Sequence, residues 1–146
     1  MRAHLGCGFI VGFALCGSLS PLSAQGIFAG RWTIQSGQIA PWVADSEKKN
    51  FVPTARLLKS TISFGRKGVV APPPLNCREA EFAVVDAPLE NLFEGGLTDP
   101  QAQAAALGFT GSIVKTLVPG CEIEYHLVDN HTALFALDNI IYTMTR

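Results

Sequence analysis

Apolar and polar residues alternate with different periods along this chain, and the changes of period divide it into elements. Residues 5–19 are almost all apolar or small. After Gly30 the pattern alternates: Trp32 and Ile34 fall on one face and Arg31 and Thr33 on the other, the spacing of a half-buried strand. Thr61-Ile62-Ser63-Phe64 alternates again, Gly65-Arg66-Lys67-Gly68 reads as a turn, and Val69-Val70 as the returning strand. Pro72-Pro73-Pro74 cannot lie inside a sheet, because proline lacks the ladder donor, so it reads as an extended connector to Cys77. Residues 79–85 alternate with Ala80, Phe82 and Val84 on one face. From residue 112 the strands 112–118, 121–128, 132–137 and 140–144 follow one another, and breaks so short imply antiparallel neighbours.

Two stretches break this β pattern. Residues 36–54 hold Gly37, Pro41 and Pro53, the apolar patch Ile39-Ala40-Pro41-Trp42-Val43 and the charge run Asp45-Ser46-Glu47-Lys48-Lys49. They predict a long irregular connection, of the kind that is usually functional or mobile. Between 86 and 109 the signals turn helical. Asp86-Ala87-Pro88-Leu89 can open a helical turn that stops at Gly95-Gly96. Thr98-Asp99-Pro100-Gln101 is a stronger start: Thr98 or Asp99 can cap exposed amides, proline is tolerated in the first turn, and Gln101 can reach back. Alanines then carry a short helix near 99–107 to Gly108, a suitable left-handed stop. The fold class predicted is mainly β: a small antiparallel β-barrel or sandwich with a C-terminal meander and that one short helix.

Register is most explicit at the C-terminal end. Asp138-Asn139 suits a two-residue hairpin turn, since both residues tolerate positive φ. That turn sets Leu137 opposite Ile140 and Phe135 opposite Tyr142. A three-residue loop Asp129-Asn130-His131 sets Tyr125 opposite Phe135 and Ile123 opposite Leu137, whereas a two-residue loop puts Glu124 opposite Phe135. The first choice predicts a core-facing row of Tyr125, Phe135 and Tyr142. It leaves Glu122, Glu124 and His126 on the opposite face, read as a solvated surface rather than a zinc site, because no Cys-x-x-Cys or His-Glu-x-x-His spacing supports a metal.

The apolar run 5–19 follows Arg2 and precedes Ser20-Pro21-Leu22-Ser23-Ala24, the three-part layout of a secretory signal. It is shorter than the roughly 20 residues that span a bilayer. The expectation is a signal peptide over 1–24, a single β-rich domain over 25–146, and a periplasmic or extracellular protein without stable membrane insertion after cleavage. Cys7 and Cys16 leave with the signal. Cys77 and Cys121 remain, so one intrachain disulfide is possible, and export permits it. Without Arg2, ten basic residues face twelve acidic ones, which gives no electrostatic footprint for nucleic acid.

Gly30-x-Trp32 near the predicted mature start, followed by a β meander, resembles the opening of lipocalin-like (calycin) barrels. The resemblance implies a tryptophan closing one end of a barrel with a basic side chain over it, and Arg146 at the end of the last strand is placed for that role. Small disulfide-bonded periplasmic inhibitors share the layout. No Gly-x-Ser-x-Gly elbow or phosphate-cradling loop is present, so no catalytic residue, cofactor or metal is expected. The predicted function is a non-enzymatic protein-binding module of inhibitor or accessory type, with Pro41 and Trp42 as its partner-binding candidates. Trp42 has three readings: an anchor for a partner, a lid over a cavity, or a plug in the core. The alternative function is a lipocalin-like carrier of a small apolar ligand, which needs an apolar interior cavity of roughly 300 Å³ or more.

Overall fold

A computed structural model describes residues 26–66 and 68–146. The expected signal peptide, its cut before Gln25, and Lys67 of the turn lie outside them. Eight strands form one antiparallel sheet: β1 (Gly30–Ile39), β2 (Thr61–Gly65), β3 (Gly68–Val70), β4 (Ala83–Pro88), β5 (Ile113–Val118), β6 (Tyr125–Asp129), β7 (Thr132–Leu137) and β8 (Ile140–Thr145). Their order is β3-β2-β1-β8-β7-β6-β5-β4, and the sheet curls into a half-barrel.

The edge strands, β3 and β4, are consecutive in the chain, so a ladder between them would close an up-and-down barrel. Connector 71–82 takes that place. Cys77 exchanges two backbone hydrogen bonds with Val69, at 2.8 and 2.9 Å, and its disulfide to Cys121 ties the connector to the link between β5 and β6. Gly68 lies under this crossing at φ +148, where a β-carbon would collide with the Cys77 carbonyl. The bond expected from cysteine arithmetic therefore fastens the open side of the barrel.

Tertiary pairing shifts several predicted boundaries. β1 runs on to Ile39 because it pairs with β8 as far as Ile140, with a bulge between Ile34 and Ser36, so the irregular connection starts at Ala40. β4 begins at Ala83 rather than at 79 and continues to Pro88, which is tolerated because β4 is an edge strand. Its ladder with β5 absorbs Asp86 and Ala87, and the helical turn starts instead at Leu89. β6 starts at Tyr125 and not at Cys121: its ladder with β5 reaches only Leu117↔Tyr125, and Cys121 is bonded to the connector instead.

Helix α1 (Pro100–Ala106) forms where predicted, and the Asp99 side chain accepts the Ala102 N–H at 3.3 Å. The residue that reaches back is Gln103, not Gln101: its Oε1 accepts from the N–H groups of Thr98 and Asp99 at 2.8 and 3.1 Å. Four residues beyond the cap, Gln103 lies over the first turn, whereas Gln101 points to Glu90. Gly108 then takes the left-handed conformation at φ +99.

The C-terminal hairpin has the predicted register, Leu137↔Ile140 and Phe135↔Tyr142, with Asp138 and Asn139 at φ 51 and 62. The preceding hairpin reaches the predicted alignment by another route. Its loop is the two residues Asn130-His131, and a bulge between Leu127 and Asp129 restores the register that pairs Leu127 with Ala133 and His126 with Leu134. Tyr125 thus meets Phe135 at 5.4 Å between ring centroids, and Phe135 stacks on Tyr142 at 5.1 Å. With Trp32, Ile34, Ile62, Phe64, Leu117 and Met144 these rings fill the inner face. At one end the Arg146 guanidinium sits 4.5 Å over the Trp32 ring, and its Nη1 donates to the Ala29 carbonyl at 3.1 Å.

Candidate functional site

The outer face of the same sheet carries the site. Val114 of β5, Leu134 of β7 and Ile141 of β8 project outward beneath the segment from Leu89 to Phe109, which lays Leu92, Phe93, Leu97 and Ala104 across them. This cover corrects the expectation of a solvated surface around His126. His126 and its neighbour Thr116 are each only 1% exposed. Glu124 is half-buried and Glu122 exposed, and neither belongs to a strand.

The His126 ring is held at both nitrogens. Nε2 accepts the backbone N–H of Phe93 at 3.1 Å, so that nitrogen carries no proton. Nδ1 carries it and donates to Thr116 Oγ1 at 2.9 Å. The Phe93 ring stands edge-to-face against the imidazole at 4.6 Å. Burial pushes the pKa of His126 down to about 4, so the ring is neutral at pH 7.

The segment gripped by this histidine is unusual backbone. Leu89–Gly95 is two turns of 3-10 helix interrupted at an extended Leu92, after which Phe93 and Glu94 take φ 52 and 58. Left-handed backbone costs non-glycine residues about 1–2 kcal/mol each. The hydrogen bond to His126 and the packing of Phe93 against Trp42 and Phe109 offset that cost.

Trp42 stands where the irregular connection leaves β1. Its indole N–H donates to Asn139 Oδ1 in the β7–β8 turn at 2.8 Å, and its ring lies 5.9 Å from that of Phe93. Gly96 lets the indole approach, since a β-carbon there would sit 3.0 Å from the ring. Trp42 and Pro41 are both half-buried. The tryptophan is therefore a fixed wall, neither sealed in the core nor free in a loop.

That wall bounds a cleft of about 540 Å³, lined also by Phe93, Glu94, Glu122, Glu124 and Asp138, with His126 in its surface. Among the described residues no lysine or arginine lines it. The ion pairs among the described residues, Lys48–Asp45 and Lys115–Asp86, lie elsewhere. Partial burial, together with the charge of Glu94, holds the Glu124 carboxyl above the usual carboxylate range. The cleft thus combines aromatic surface with negative charge that no described side chain neutralises. Among the described residues no group of three or more His, Cys, Asp and Glu side chains is arranged to hold a metal ion.

Of the residues singled out in the sequence, Cys77 and Cys121 are joined at the seam, and Trp42 is at the cleft. His126, Thr116, Phe93 and Glu94 were missed as a group. One signal pointed to them: 132–137 is a nearly continuous apolar run, the mark of a strand buried on both faces. A cover over the outer face of β7 follows from that run, although its identity does not.

No protein-family model, curated protein or solved structure matches the chain. Fold and site define it as a small disulfide-bonded antiparallel β protein with a filled inner face and an open cleft on its outer face. Among the described residues no helix is long and apolar enough to cross a membrane.

Proposed function

We propose that this protein is a non-enzymatic binding module of inhibitor or accessory type, exported by its N-terminal signal, that engages a protein partner at the Trp42 cleft. The observation that carries this reading is where the open space lies. The inner face is filled by Trp32, Tyr125, Phe135 and Tyr142, each at most 1% exposed. The cavity beside Val69, Leu75 and Tyr125 at the seam measures about 210 Å³, below the roughly 300 Å³ that a carried ligand needs. The larger space is the outer cleft of about 540 Å³. Its rigid indole and unneutralised carboxylates suit a partner side chain with an apolar stem and a positive charge. The disulfide across the seam supports an oxidising compartment.

The second reading, a lipocalin-like carrier, is favoured by one contact, Arg146 over Trp32, which matches the Gly-x-Trp resemblance. One experiment separates the two. The protein is used to capture partners from its own extracytoplasmic extract, beside a Trp42→Ala variant, and both protein and lipid fractions go to mass spectrometry. A binding module retains a protein that the variant loses. Stoichiometric recovery of an apolar small molecule, with no protein dependent on Trp42, overturns the module reading in favour of the carrier.

A further inference from the structure

We propose that His126 is a proton-operated latch: neutral, it holds the Phe93–Gly95 wall of the cleft in place, and protonated, it lets that wall go. The latch stands apart from whatever the cleft binds, because its output is the position of the wall itself.

The geometry permits one protonation state. The Phe93 N–H points at Nε2 from 3.1 Å and needs a lone pair there. A proton on Nε2 would set two N–H donors against each other, while Nδ1 already spends its proton on Thr116. The latched segment is poised to move, since Phe93, Glu94 and Gly95 have consecutive positive φ values of 52, 58 and 78, two of them on non-glycine residues.

The charged side chains that share the cleft with the ring are all acidic. Glu122 and Glu124 precede His126 in the chain, Glu94 follows Phe93, and Asp138 comes from the β7–β8 turn; all four line the cleft with it. From β5 the ring meets the uncharged Thr116, with Lys115 on the other face in its ion pair with Asp86. From β7 it meets Leu134, its register partner. An imidazolium would share the cleft with these four carboxyl groups and with no described lysine or arginine. Burial now holds the ring neutral down to about pH 4, so acid must open the site to protonate it.

Amide hydrogen exchange of Phe93, the donor in the latch, reads the mechanism directly in the purified protein. Between pH 6.5 and about 4 the open state takes up a proton that the closed state refuses. The protection factor of Phe93, corrected for intrinsic exchange, should then fall about tenfold per pH unit. The Tyr142 amide in β8 should stay protected to a greater degree throughout. In a His126→Gln variant the Phe93 slope should flatten. NMR of the wild-type ring supplies a measurement that does not depend on the variant folding: it should show the neutral Nδ1–H tautomer at pH 7 and titrate well below 6.5. The proposal is overturned by Phe93 protection that does not change with pH, by exchange of Phe93 and Tyr142 in one common step, or by a His126 ring that titrates near 6.5.

Discussion

The two faces of this one sheet are built on different principles. The inner face is a continuous apolar layer in which Tyr125, Phe135 and Tyr142 run across adjacent strands. The outer face is a composite, part apolar and part hydrogen-bonded, and it is roofed by a segment of short helical turns broken at Leu92. Alternation with period two suffices to make the inner face, because each strand contributes its own side chains. The outer face exists only because 89–109 folds back over it. Strength therefore belongs on the inside and responsiveness on the outside.

The comparison predicts a ranking of perturbations. Phe135→Ala, at a fully buried ring, should cost about 3–5 kcal/mol in denaturant melts. A loss near 1 kcal/mol would mean that the inner face repacks easily and is not the rigid half. Next comes the seam: breaking Cys77–Cys121, which closes a sequence separation of 44, should cost about 3–4 kcal/mol without abolishing the fold. A protein with two titratable thiols under denaturing, non-reducing conditions would contradict the bond outright.

Acid should act on the outer face. The folded pKa of His126 is pushed down to about 4 against an ordinary 6.5, so the unfolded chain binds a proton between those values and the folded chain does not. The contribution of His126 should be full above pH 6.5, decline as the pH falls, and level off below pH 4, a loss of about 3 kcal/mol from this group. Urea midpoints measured at pH 7 and 4.5 for wild type and His126→Gln check this: the wild type should lose the larger share. Equal losses would place the acid sensitivity elsewhere.

Smaller effects sharpen the picture. Arg146→Ala removes a partly exposed cation–π contact over Trp32 and should cost about 1 kcal/mol in the same melts. Glu124→Ala should change stability by no more than about 0.5 kcal/mol, since the group is half-exposed at the cleft. A large gain from that substitution would show that the carboxylate is strained in the free protein.

The inner half of the molecule is legible in the amino-acid sequence. Short-range rules suffice there: Asp138-Asn139 demands a tight turn, and the turn sets the register of Phe135 on Tyr142. Asp99-Pro100 and Gly108 likewise bound α1, because caps and stops are local chemistry. Two remaining cysteines left one pairing to make. The outer half is fixed by contacts between distant parts of the chain. Whether His126 meets water or Phe93 depends on the path of a segment more than thirty residues earlier in the chain, and no period in 121–128 encodes that path. The bulge between Leu127 and Asp129 likewise shows that a correct register can have a cause other than loop length. Trp42 becomes a wall because Asn139, Phe93 and Gly96 arrive around it from distant parts of the chain. Side-chain alternation records which way a residue points, but what lies beyond it is set by long-range packing.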